Sequence, residues 1–403
     1  MSNHRPQRLI KYFPFFYVIY TVATYLSIDA YLPAMPTIAN QFGVSQEKIQ
    51  LSLTLFFLGN LISQPIVGVL SDRYGRRSLL LFGGVLFIAS SLMVVIPWFN
   101  ILLLARFLQG VALTSMLVTG FSTIHSFYQQ EEAIKRIAWL GSVTILSPAL
   151  GPLLGALIMK LANWEFIFIF LAVMTFFALI GLFYCMPETN NHQEYRSFEK
   201  ASEEYWSTLT DWDFLKPMVA GGALFAVMIA WNVCGSFFII KTLNYSVFTF
   251  GFIQALVLIG FIIGSQLLEK LLSKYSLKGL STLSVTIVGI FSLISVFFIR
   301  FSSNELLNLI VLLFPIHLGL GIGYSVFNRL CIECNDKPMG IKISLSGLGM
   351  NVSALLSSIL ATSFFSEQIT SFSVYILGLA ALAVFFGFYT LPIEPTEGFD
   401  QAK

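Results

Sequence analysis

Gly68-Val69-Leu70-Ser71-Asp72-Arg73-Tyr74-Gly75-Arg76-Arg77 is the stretch on which the fold turns. It follows one apolar run, roughly 49–70, and precedes another, roughly 78–96, each of the ~20 residues needed to cross a hydrocarbon core. Between two such runs it reads as a tight turn joining antiparallel helices. Gly75 supplies the backbone freedom such a turn needs. Asp72 can hold an arginine or a helix N-terminus. Arg73, Arg76 and Arg77 are the cations that anchor a loop on the cytoplasmic side.

Composition extends this reading to the whole chain. Of 403 residues, 56% are hydrophobic and 11% charged, with mean hydropathy +0.80. A soluble domain carries roughly a quarter of its residues as charges, so this chain has too little polar surface to cover a water-facing globule. Lipid is the outer solvent. The net charge of +2, with no dense run of Lys or Arg, excludes nucleic acid as a partner. Cys185, Cys234, Cys331 and Cys334 include a single Cys-x-x-Cys beside Glu333. It has no further ligands in reach of the spacing rules, so the pair reads as small apolar residues near a helix end and no metal is expected. Arg5, Arg8 and Lys11 precede an apolar stretch long enough to span, with no small-x-small cleavage pattern after it, which predicts a retained first helix.

Twelve spans are predicted, at roughly 12–34, 49–70, 78–96, 99–123, 137–159, 165–186, 214–239, 248–271, 278–299, 306–328, 342–365 and 371–392. An even number puts both termini on one side. With the N-terminus inside, roughly 18 basic residues fall on the cytoplasmic side and about 4 outside. Both termini are therefore expected in the cytoplasm. The longest polar stretch, 187–213, divides the chain into two six-helix halves, 1–186 and 214–403. An all-α, two-bundle architecture with a cytoplasmic linker is what a rocking transporter needs. The linker either lies on the membrane as an amphipathic helix, using Tyr195, Phe198, Tyr205 and Trp206, or is a solvated tether.

The loop at 68–77 resembles the signature loop of the major facilitator superfamily, with Ser71 in place of its usual alanine. The resemblance implies that Gly68, Asp72, Arg73, Gly75, Arg76 and Arg77 form a conformational latch. A worn copy stands at 264–274, with Glu269 and Lys270. Three further stretches are similar to the twelve-span drug:proton antiporter branch. Leu26 to Pro36 matches its first-span pattern with Ser27 for glycine, and Leu102 to Gly110 matches its buried-arginine pattern. Ser147-Pro148-Ala149-Leu150-Gly151-Pro152-Leu153-Leu154-Gly155-Ala156 matches the pattern associated with antiport, with Ser147 and Ala156 replacing the outer glycines. A small residue is kept at each of these positions, so close helix contact is expected to survive. Trp164-Glu165-x-x-Phe168 also resembles the branch. Within it, Asp29 is placed as in bicyclomycin- and chloramphenicol-resistance exporters and the multidrug facilitator type. The latter carries a second acidic residue about two turns earlier; here Thr21 stands there, which argues against a two-carboxylate mechanism.

Charges inside a span need a reason to be there, and Asp29 and Arg106 are the clear cases. A carboxylate in a partly dry cavity can take a proton on one side and release it on the other, so Asp29 is the candidate coupling site. The competing reading is a carboxylate at the outer helix end, capping or hydrated, beside Pro33. Arg106 carries a fixed charge that can set the proton affinity around it, or can serve as interhelical glue. His317 lies mid-span among Gly319, Gly321 and Gly323, whereas His125 at a helix end reads as structural. Tyr20, Tyr25 and Asp29 on the first span, with Trp231, Asn232 and Phe238 on the seventh, are the expected substrate residues. No acidic cluster, His-rich box or nucleophile–base pair suggests an enzyme. The expected activity is proton-coupled efflux of small amphiphilic molecules by a monomer in a bacterial inner membrane, without a cofactor. The rival is export of one metabolite, such as a siderophore or amino-acid derivative.

Overall fold

The computed structural model describes residues 11–127, 147–186, 198–298, 305–337, 339–364 and 369–390. The side chains of Asp72 and His125, the start of the predicted fifth span and the first part of the linker lie outside the described residues. Every regular element among those described is helical. A helix satisfies its backbone within itself, which lipid cannot do for it.

Proline sets the first break. Pro33 has no N–H for the carbonyl of Asp29, and Pro36 has none for Leu32. Accordingly α1 (Phe13–Asp29) ends, a 3-10 turn covers Leu32–Ala34, and α2 (Met35–Phe42) resumes. Next come α3 (Gln46–Tyr74) and α4 (Arg76–Met93), separated by Gly75 alone at φ 86°. That is the tight turn expected from the sequence, in a conformation costly for any residue with a Cβ. The first half closes with α5 (Phe99–Phe127), α6 (Ser147–Leu161) and α7 (Glu165–Cys185). The linker carries α8 (Phe198–Leu209), and after it come α9 (Trp212–Ser236) with a π-helical turn Phe237–Thr242, α10 (Val247–Leu271), α11 (Leu277–Phe298), α12 (Glu305–Glu333), α13 (Met339–Phe364) and α14 (Ile369–Phe388).

Among the described residues, eleven of these helical segments, α1 and α2 counted together, are long and apolar enough to cross a membrane, and α6 is a shorter apolar helix. Their outer faces show the solvent they are built for. On α7, Phe166, Phe170, Val173, Phe177, Ile180 and Tyr184 recur at helical spacing and are all exposed. A helix facing water would carry polar residues along that stripe.

By its contacts the chain forms two compact units. One comprises Met1–Tyr195, Ala230–Leu258 and Leu355–Glu367; the other comprises Arg196–Ile229, Ile259–Ala354 and Gln368–Lys403. In the first, α3 and α5 cross at glycine: a Cβ at Gly59 would strike the Phe107 carbonyl, and one at Gly110 the Phe56 carbonyl. Thr114 bonds Asn60 beside this crossing, and Ser63 bonds Thr114. Span 2 also reaches segments of the second half that belong to this unit. Gln50 Nε2 donates to the Val233 carbonyl at 3.0 Å, and the Thr54 and Ser358 hydroxyls lie 2.8 Å apart.

In the second unit the crossing recurs between α10 and α12, where a Cβ at Gly264 would strike the Leu318 carbonyl and one at Gly321 the Phe261 carbonyl. Ser284 on α11 donates to the Gly319 carbonyl of α12 at 2.7 Å. Of the linker, 198–209 is a helix fastened to this unit. Tyr205 donates to Ser344 at 3.2 Å, Lys337 donates to the Ser207 carbonyl at 2.6 Å, and Lys337 pairs with Asp211 at 3.1 Å. Burial pushes the Asp211 carboxyl up, but donors from Asp213, Lys337 and Asn335 outweigh it and hold the group below the usual carboxylate range. Trp206, at 71% exposed, stays outside these contacts. Cys331 is packed with Phe214, Ile341 and Leu345 in an apolar cluster.

Candidate functional site

The proline break leaves Asp29 as the last residue of α1, buried at 3% exposure. Its Oδ2 accepts the Ser147 hydroxyl at 3.1 Å. Ser147, Gly151 and Gly155 lie on one face of α6 at successive turns. A Cβ at Gly151 would sit 2.6 Å from the Asp29 Cβ, and one at Gly155 would strike the Ala30 carbonyl. The antiport-pattern glycines thus bring α6 onto α1 at the level of the carboxylate, and a Cβ at Gly155 would also sit 3.1 Å from Pro33 Cγ. Ser147 and Pro148 open the described helix, and Pro152 lies within it, buried. Gly155→Val is expected to lower stability by ~1–3 kcal/mol, because the added carbons must push the two backbones apart. A lower Tm in detergent checks this; an unchanged Tm would show that the close approach is dispensable.

Arg106 is fully buried on α5. Nη1 donates to the Ser27 carbonyl at 2.9 Å and to Gln109 Oε1 at 2.7 Å. Gln109 in turn donates to Ser91 at 3.1 Å. The guanidinium carbon lies 4.6 Å from the ring centre of Tyr31, 4.8 Å from that of Phe56 and 5.9 Å from that of Phe168. Nε and Nη2 have no hydrogen-bond partner among the described residues. No ion pair joins Arg106 to Asp29. The cation instead holds the α1 backbone two residues before the carboxylate, caged by aromatic faces that attract it. The Trp164 and Phe168 positions belong to the same wall: Phe168 packs on Tyr31 and on Trp164, and Trp164 donates to Gln41 at 2.6 Å.

At the loop, Arg76 donates to the Ser122 carbonyl and Arg77 to the Phe183 carbonyl, each at 2.7 Å. Phe183 lies in the last turn of α7, where carbonyls are open and the dipole favours cations. Arg73 is exposed, over the Tyr74 ring, and a Cβ at Gly68 would meet nothing within 4 Å.

The expected substrate residues separate. Tyr25 is half-buried one turn before Asp29 on the same helix face. Tyr20 is fully buried with its ring edge on Phe87 and its hydroxyl close to Gly83, inside the first bundle. Trp231, Asn232 and Phe238 form a second group. Trp231 Nε1 donates to Gln254 at 2.6 Å, Gln254 donates to Asn232 at 3.0 Å, and Phe238 is buried in the π-helical turn. Such turns recur at functional positions. His317 is buried with Nδ1 2.9 Å from the Leu313 carbonyl one turn back. A carbonyl only accepts, so Nδ1 carries the proton and is committed to its own helix. Sequence reasoning missed Gln109, Gln254 and the hydroxyl of Ser147. The signal for Ser147 was its spacing of four from Gly151; it was read for size alone.

The sequence profile described as Major Facilitator Superfamily matches residues 17–334. Among curated proteins, the chain is similar to the multidrug transporter MdfA of Edwardsiella ictaluri, 31% identical over 67% of this chain and 66% of that protein. It is also similar to the chloramphenicol resistance protein CraA of Acinetobacter baumannii, 26% identical over 94% of this chain and 91% of that one. Among solved structures, a D-xylose-proton symporter superposes with TM-score 0.75 over 96% of this chain and 98% of that chain, at 15% identity, a likeness of fold alone. With the profile covering most of its length and its apolar helices arranged as that fold requires, this chain belongs to the Major Facilitator Superfamily and is a membrane transporter, not an enzyme.

Proposed function

We propose that the chain exports small amphiphilic, drug-like molecules in exchange for protons across the bacterial cytoplasmic membrane, with both termini inside. The observation that carries this reading is the Asp29 carboxylate, buried at a helix discontinuity and held by one hydroxyl from the antiport-pattern helix. Such a group exchanges a proton when the cavity around it changes hydration. Proton and substrate then compete for one cavity and move in opposite directions. Arg106 holds the α1 backbone in place for this exchange, and Tyr25, Trp231, Asn232 and Phe238 contribute apolar faces and an amide to the substrate. The names of the MdfA and CraA relatives support a drug-like cargo.

In this reading the halves 1–186 and 214–403 rock about the linker 187–213, and the loop Gly68 to Arg77 latches them. The bonds of Gln50 to Val233 and of Thr54 to Ser358 are then bonds that opening of the outer side has to break. The protein acts as a monomer and uses the proton gradient alone, without a cofactor. Reconstituted in liposomes with an acidic lumen, it is expected to accumulate chloramphenicol while protons leave, and to stop when nigericin collapses the gradient. Absence of proton-coupled movement of chloramphenicol or ethidium would sink the proposal. A susceptibility panel showing protection against few or no drugs would assign a single metabolite instead.

A further inference from the structure

We propose that Ser147 is a positioning residue for proton coupling: its hydroxyl orients the Asp29 carboxylate and hydrogen-bonds it in both protonation states. This rests on the efflux reading of Asp29 and adds a residue to it. Gly151 and Gly155 press α6 onto α1 so closely that a Cβ at Gly151 would sit 2.6 Å from that of Asp29. One turn earlier on the same face, the Ser147 hydroxyl reaches Asp29 Oδ2 at 3.1 Å, with both residues 3% exposed. In the pattern that this helix resembles, a glycine stands at this position and has nothing to donate.

A charged carboxylate can only accept, whereas a protonated one must also donate. Serine serves both, because its hydroxyl donates to the first and can rotate to accept from the second. Alanine serves neither. Other titratable and charged groups on the elements packed here are Tyr17, Tyr20, Tyr25 and Tyr31 on the same stretch, Arg106 and His125 on α5, Lys160 on α6, and Glu165, Tyr184 and Cys185 on α7. Arg106 is turned to the Ser27 carbonyl and Glu165 to Gln41, so neither substitutes for the hydroxyl.

The competing role for Ser147 is a small spacer, and the two roles order the variants oppositely. If the hydroxyl matters, Ser147→Ala and Ser147→Gly both fold, and both lose about tenfold in driven efflux, the scale of one hydrogen bond to a charged group. Ser147→Thr then stays within about threefold of wild type. If only size matters, Ala and Gly transport normally and Thr is the impaired one. A readout independent of transport is the infrared carboxyl band that disappears in Asp29→Asn, followed against pH in membranes. The bond to the charged carboxylate is the stronger of the two, so Ser147→Ala is expected to move that band and to displace its titration midpoint by about one pH unit, with recovery in Ser147→Thr. An unmoved band and midpoint in Ser147→Ala would overturn the proposal, whether or not the wild-type protein passes the efflux test.

Discussion

Asp29→Asn is expected to lower proton-driven efflux by at least about a hundredfold while leaving a folded protein. Asparagine has almost the same shape, so the approach of Gly151 to the Asp29 Cβ is undisturbed. Its amide oxygen can still accept from Ser147. What is lost is the change of charge. A carrier that cannot take and release a proton has no means to draw on the gradient. Substrate–substrate exchange, which needs the conformational cycle but no net proton movement, is expected to persist in liposomes. Substrate binding is expected to lose its pH dependence. In the wild-type protein, binding weakens toward low pH as the proton competes for the cavity. Undiminished driven efflux by the variant would place the coupling group elsewhere.

Arg106 is expected to produce the second large effect, and its variants separate chemistry from structure. A buried guanidinium is costly, and here two of its nitrogens lack hydrogen-bond partners among the described residues. Replacing a buried charge by an apolar residue of similar volume is often neutral or stabilising. Arg106→Met is therefore expected to keep or raise the Tm while losing roughly fiftyfold or more in driven efflux. Arg106→Ala loses both, because it empties the space between Tyr31 and Phe56 as well. Lysine is no rescue: a point charge on a flexible stem lacks the planar face that lies against those rings. Thermal melting and efflux on the same preparations make the comparison. Wild-type transport by Arg106→Met would reduce the residue to interhelical glue.

Much of this was legible in the sequence, and what was not has a physical cause. Span length follows from hydrophobic run length, and the turn at Gly75 from the residue that tolerates its φ. Asp29 and Arg106 announce themselves because a charge in an apolar run is expensive. Rotation of each helix about its own axis is another matter. In water, a polar stripe marks the outer face; in lipid, the outer face of α7 is Phe166, Phe170 and Phe177, as apolar as its core. So the inward turn of Tyr20, the engagement of Trp231 with Gln254 and the aromatic cage around Arg106 could not be read from periodicity. The linker was ambiguous for a related reason. Its order depends on Asp211 meeting Lys337 and Tyr205 meeting Ser344, partners that no local pattern links.

The glycine crossings, α3 on α5 and α10 on α12, have a consequence for how such a pump diversifies. Each places backbone against backbone, at Gly59 and Gly110 in one unit and at Gly264 and Gly321 in the other, where any side chain collides with a carbonyl. Selection for new cargo therefore has no freedom at these four positions. It has much more at half-buried residues such as Tyr25, which lie outside these crossings. Resistance arising under a changing drug regime would leave the crossings fixed and rewrite the cavity walls, so a fossil of the ancestral scaffold persists inside each bundle while its chemistry drifts.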